Sequence, residues 1–98
     1  MRVHWTDNAI EHLVDIYEYI AHDSSVYAKR MIDRLTKRSE QIADFPMSGR
    51  MVPEYEVDEI REMIEKSYRI IYRIKLNQID VLAVIHCAQL LPEEMEMS

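Results

Sequence analysis

The hydrophobic period of this sequence changes once, at Pro46, and that change limits the chain to a fold with a helical part followed by a sheet. Before it, Ile10, Leu13, Val14, Tyr17, Ile20 and Ala21 recur at spacings of three and four, with Glu11, Asp15 and Glu18 turned away. Thr6 precedes the run as a cap, Asp7 sits where a negative charge complements the helix dipole, and Trp5 lies where it can staple onto Ile10. A helix over Asp7–Ala21 is predicted. Asp23-Ser24-Ser25 caps a second helix, whose stripe runs through Ala28, Met31, Ile32, Leu35, Ile42 and Ala43. Two amphipathic helices joined by so short a link pack antiparallel.

After Phe45 the helical spacing stops. Pro46-Met47-Ser48-Gly49-Arg50 holds the only glycine of the chain and Pro53 follows, which marks a loop. Three short apolar runs come next, at 60–64, Tyr68–Ile74 and 79–85, rich in Ile, Val and Tyr and too β-branched for helices. Links this short demand antiparallel hairpins. Val3 and Trp5, alternating with Arg2 and His4, add a strand at the start. The expected order is βααβββ, an α+β domain with two antiparallel N-terminal helices on one face of a mainly antiparallel four-stranded sheet. With 98 residues and 48% apolar content, one domain over 1–91 can bury a core without staples, and 92–98 reads as an acidic tail.

Charge and cysteine content exclude several function classes. A formal charge of −6 argues against non-specific coating of nucleic acid, where phosphate contacts supply most of the affinity. The charge is unevenly spread. Lys29, Arg30, Arg34, Lys37 and Arg38 face one acid, Asp33, whereas 54–65 holds six acids against Arg61 alone. The single cysteine, Cys87, rules out an internal disulfide framework and reads as a small buried hydrophobe. No run approaches a membrane span and the first residues lack a signal peptide's apolar stretch, so a cytoplasmic protein is expected. His4, His12, His22 and His86 fall in different elements without ligand spacing, and Gly49 alone cannot make a phosphate loop; neither metal nor cofactor is expected.

Within Tyr68–Ile74 and Lys75, one row, Tyr68, Ile70, Tyr72 and Ile74, should meet the helices, and the other, Arg69, Ile71, Arg73 and Lys75, should face away. A two-residue turn at Asn77-Gln78 pairs Ile70 with Ile85, Tyr72 with Ala83 and Ile74 with Val81, and sets Arg69 directly against His86 on the helix-free face. If Ile60 and Ile64 face the helices, Arg61 and Met63 join Arg69, while Glu62 points inward and needs a cation from the second helix, or the strand carries a bulge. Arginines on a half-exposed strand are commonly solvated, and a histidine at a strand end is commonly a satisfied edge residue.

Trp5 and Ala9 at the first helix start, Pro46-Met47-Ser48-Gly49-Arg50 with Pro53, Ile60-Arg61-Glu62, Tyr68-Arg69-Ile70-Ile71-Tyr72-Arg73-Ile74 and Val81-Leu82-Ala83-Val84-Ile85-His86 occur in that order. In this the chain resembles the ParE/RelE superfamily of toxins from plasmid-stabilisation, or type II toxin–antitoxin, modules, from Val3 to about Leu91. The resemblance implies a cytoplasmic toxin held inactive by a cognate antitoxin, as a homodimer or a toxin–antitoxin heterotetramer. RelE-like members are metal-independent endoribonucleases that cut mRNA on the ribosome; ParE-like members poison DNA gyrase. Carried over, Arg61, Arg69 and His86 would be the catalytic set of a nuclease, with Glu54 near where some keep a base, and Arg61, Arg69 and Arg73 would meet the antitoxin or target. Cys87-Ala88-Gln89 replaces the basic residues that often follow the last strand, and the chain is acidic, so a ParE-like gyrase inhibitor is expected. The nuclease and a non-toxic, antitoxin-binding domain are the alternatives.

Overall fold

The computed structural model describes residues 1–92; the acidic tail expected at 92–98 lies outside the described residues from Glu93 onward. The elements are β1 (Arg2–Trp5), α1 (Asp7–Ala21), α2 (Ser25–Asp44), a 3-10 turn at Pro46–Ser48, β2 (Arg50–Met51), β3 (Ile60–Glu65), β4 (Tyr68–Ile74) and β5 (Gln78–His86). Both caps act as the sequence predicts: Thr6 accepts from the Ala9 amide and Ser24 from the Tyr27 amide. The class is α+β, with the helical hairpin on one face of the sheet.

The sheet departs from the expectation in two ways. It has five strands in the order β1-β5-β4-β3-β2, because Arg50–Met51 pairs antiparallel with β3 at its edge. It is also mixed: β1 runs parallel to β5, with Val3 opposite Ile79 and Trp5 opposite Val81. Everything from α1 to β4 lies between these two parallel strands, and the helical hairpin carries the chain from β1 at one edge of the sheet to β2 at the other.

The β4–β5 register differs from the expected one for two separate reasons. Ile74 lies opposite Ile79 and the Lys75 amide donates to the Gln78 carbonyl, so the two turn residues are Leu76 and Asn77. That one-residue displacement of the turn changes partners by two and preserves the faces, leaving Tyr72 opposite Val81. A bulge between Ile71 and Tyr72 then shifts them back by one, a net displacement of one residue from the expected pairs, placing Ile71 opposite Ala83, Ile70 opposite Val84, Arg69 opposite Ile85 and Tyr68 opposite His86. Because side chains alternate with period two, His86 moves to the helix side and the expected Arg69–His86 pair does not form.

On the helix side, Ile70, Tyr72, Ile79, Val81 and Val84 pack with Ala9, Ile16, Met31, Leu35 and Ile42. Ile70, Tyr72 and Leu35 are fully buried, and Leu13 packs partly. Tyr17, in the apolar stripe expected to face the sheet, is 38% exposed; Ile10 and Val14 of the same stripe are exposed as well. The rotation of α1 is set by hydrogen bonds to β5: Thr6 Oγ1 donates to the Val81 carbonyl at 2.8 Å, Asn8 Nδ2 to the Leu82 carbonyl at 2.9 Å, and His12 Nδ1 accepts from the Val84 amide at 3.1 Å. These bonds turn Ala9 and Ile16 onto the sheet and the Ile10, Val14 and Tyr17 flank outward.

The other face of the sheet carries a second core. Val52, Ile60, Ile71, Leu82, Ala83 and Leu91 are all buried there, with Tyr55 and Ile85 packed beside them. The segment between β2 and β3 and the chain after β5 cover this face, where a helix-free, half-exposed surface is expected from the alternation alone. Cys87, expected in the interior, is exposed.

Candidate functional site

Arg69 stands near the start of β4 on this covered face, and its surroundings decide what it can do. Its side chain is 7% exposed. Nε donates to Glu62 Oε1 at 2.6 Å, and Nη1 and Nη2 grip the two oxygens of Glu54 at 2.8 Å each. Nη1 also donates to the Gln89 carbonyl at 3.2 Å. Four of the five guanidinium N–H groups are thereby directed at the chain's own oxygens. Glu62, fully buried, is held from the other side by Arg50. Glu54 also accepts from the Leu91 amide at 3.1 Å, and Tyr55 donates to the Pro92 carbonyl, so the loop after β2 and the chain after β5 are tied down together.

The electrostatics follow from this geometry. The bidentate hydrogen bonds from Arg69 hold the Glu54 carboxyl down at about 2, against the opposing pull of burial, and the Leu91 amide assists. Glu54 is thus a carboxylate at neutral pH and far too weak a base for efficient proton abstraction. The carboxylates push Arg69 further up, beyond any titration in water. One arginine against two carboxylates is a charge-assisted cluster that satisfies itself.

Arg61 does not join Arg69. Ile60, Glu62 and Ile64 face the outer side, opposite Arg73, Ile71 and Arg69, so Arg61 and Met63 point to the helix side. The parity of this strand is the inverse of the expected one, because Ile60 belongs to the second core on the outer face. Glu62 therefore finds its cations in Arg69 and Arg50, and not in the second helix. Arg61 donates to the Gly49 carbonyl at 3.0 Å and to Asp58 at 2.8 Å, stitching β3 to both flanking loops. Arg73 remains on the outer face, 35% exposed, with Glu59 at 3.8 Å. His86 lies on the opposite side of the sheet, edge-on to Tyr68 with ring centroids 5.8 Å apart, and its Nδ1 accepts from the Ala88 amide at 3.0 Å.

The Pro46–Arg50 motif serves the fold. Tyr72 donates to the Pro46 carbonyl at 2.7 Å and accepts from the Gly49 amide at 3.1 Å. A Cβ at Gly49 would stand 2.2 Å from the Tyr72 hydroxyl and 2.7 Å from the Glu62 carbonyl, so close approach is what requires glycine here. Residues that sequence reasoning left out of the site are Arg50, Gln89 and the Asp80 cluster, in which a buried carboxylate accepts from Lys75 and Gln78 at 2.6 Å each and lies 3.3 Å from His4 Nδ1. Among the described residues no His, Cys, Asp and Glu group is placed to hold a metal ion, and no helix is long and apolar enough to cross a membrane.

The chain is thus a helical hairpin on an antiparallel meander, with a carboxylate-clamped arginine on its central strand. Residues 3–91 match the family described as "ParE toxin of type II toxin-antitoxin system, parDE", and the chain belongs to that family. It is 31% identical over 94 residues to "Putative toxin Y4kP" of Sinorhizobium fredii, covering 94% of each chain. Its fold is similar to that of a chain in the "Chromosomal ParDE TA system from P. aeruginosa", with a TM-score of 0.73, 21% identity, and coverage of 88% of this chain and 95% of that one.

Proposed function

We propose that this ParE-family toxin inhibits DNA gyrase in the cytoplasm by binding, and that a cognate antitoxin neutralises it through a complex such as a toxin–antitoxin heterotetramer. The observation that carries the reading is the state of Arg69. A guanidinium that stabilises a phosphate in flight must present its fork to the substrate, and this one spends four hydrogen bonds on Glu54, Glu62 and Gln89. The groups that would share the work are dispersed: His86 is across the sheet, Arg61 is bound to Gly49 and Asp58, and Glu54 is held at about 2. Proton transfer and phosphate stabilisation do not converge on one point, as cleavage requires.

For the antitoxin, Arg73 supplies charge on the outer face and Arg69 holds that surface in shape, while Arg61 braces β3 from the helix side through Gly49 and Asp58. Acidic antitoxin side chains fit such a surface by charge. Expression without the antitoxin tests the target. Filamentous, SOS-induced cells, with supercoiling by purified gyrase inhibited, are the expected result. Rapid transcript loss that disappears in a folded His86→Gln protein would establish the nuclease instead, and normal growth would leave a non-toxic antitoxin-binding domain.

A further inference from the structure

A cleft of 610 Å³ opens between α1 and the end of β5, away from the Arg69 cluster, and two histidines, two tyrosines, one acid and one amide line it: His12, His86, Tyr19, Tyr68, Asp15 and Gln89. Its volume lies within the range of small-molecule sites. The backbone settles the state of both imidazoles. His12 Nδ1 accepts from the Val84 amide at 3.1 Å and His86 Nδ1 from the Ala88 amide at 3.0 Å, so each Nδ1 carries a lone pair and each neutral ring carries its proton on Nε2. Neither ring has a second lone pair to act as a base. Two histidines in one cleft here form a pair of donors and not a proton relay.

The remaining groups extend the same pattern. Gln89 accepts from the His86 amide through Oε1, which leaves its NH₂ as a donor. Tyr68 stands edge-on to His86 and forms an aromatic wall, with Tyr19, 81% exposed, at the mouth. Burial, together with the neighbouring phenols of Tyr19 and Tyr27, pushes Tyr68 up and keeps it a neutral donor. Asp15 is the one anionic acceptor in the lining, and with Glu11 it gives this side of α1 a negative potential, which disfavours an anionic ligand. The matching ligand is flat, uncharged, rich in carbonyl or ring-nitrogen acceptors, and able to offer an amino group to Asp15.

We propose that this cleft binds an uncharged heteroaromatic of the nucleobase class, held by stacking on the tyrosine and histidine rings and by the Nε2–H groups of His12 and His86. The site is independent of which target the toxin poisons, so its failure and the failure of the gyrase reading are separate results. Adenosine is the probe, titrated at pH 7 into the ¹⁵N-labelled full chain, with AMP as the charged comparison. Adenosine should shift the amides of Val84, Ile85, His86 and the facing turns of α1, and AMP should bind no more tightly. Imidazole ¹⁵N shifts should show the Nε2–H tautomer for both His12 and His86. Tyr68→Phe and His86→Phe, each with the rest of the spectrum unchanged, should weaken binding about three- to tenfold. The proposal is overturned by absent shifts, by an Nε2 lone pair on either ring, or by unweakened variants. Tighter AMP binding with shifts confined to Arg30, Arg34, Lys37 and Arg38 would likewise overturn it, since phosphate and not the base would then be recognised.

Discussion

At the scale of single residues, Arg69 has exchanged a chance at solvent for structural work. Removing one partner of a buried ion cluster leaves the others uncompensated, so Arg69→Met should cost on the order of 3 kcal/mol in urea unfolding. Arg50 softens the loss for Glu62. Pairing the change with Glu62→Leu should restore much of it, since an apolar pair then replaces the charges; a double variant as unstable as the single would show that Arg69 matters for packing alone. Glu54 gives the cluster a pH signature. Its folded value of about 2 lies below the ordinary 4.5, so its contribution is fully present above pH 4.5 and is lost as the pH falls toward 2. Acid unfolding should therefore steepen in that window, and Glu54→Gln should flatten it. The need for a cation beside Glu62 was legible in the sequence, because a carboxylate alternating with Ile60 and Ile64 cannot be buried alone. Which cation met it was not, because that depends on Arg50, in an edge strand where the sequence reads as a loop, and on a diagonal neighbour in the sheet.

At the scale of elements, β5 shows how one residue redirects chemistry. The helices, their caps and the inward row of β4 follow from spacing and are where the sequence places them. The bulge does not follow from spacing: Val81-Leu82-Ala83-Val84 is apolar throughout, so either register buries it, and alternation carries no signal in a strand covered on both faces. The hydrogen bonds of Thr6, Asn8 and His12 from α1 to Val81, Leu82 and Val84 hold the irregular stretch in place. His12 can accept only while Nδ1 is unprotonated. Burial lowers its pKa below the ordinary 6.5, while Asp15 and Glu11 pull the other way. This contribution is complete above pH 6.5 and is lost as the pH falls through the lower folded value. His12→Gln, which keeps an acceptor but does not titrate, should lose less stability than the parent between pH 7 and pH 5; equal losses would place the acid sensitivity elsewhere.

At the scale of the whole molecule, the sheet is the middle of three layers, with helices on one side and the loop after β2 plus the chain after β5 on the other. Ile71→Ala should then cost about 2–5 kcal/mol, as much as Ile70→Ala on the helix side, whereas a solvated outer face would make it cost below about 1 kcal/mol. Chemical denaturation of the two variants decides the matter. The parallel pairing of the first strand with the last has a consequence for synthesis. Residues 2–5 are made long before their partners at 78–81, with both helices and three strands synthesised in between. The helical hairpin, built from local contacts, can form while translation continues, but the sheet cannot close over it until β5 has been made. A chain stopped before β5 thus lacks the strand that joins β1 to β4, and a growing chain of this toxin stays unassembled until residues 78–86 have been added.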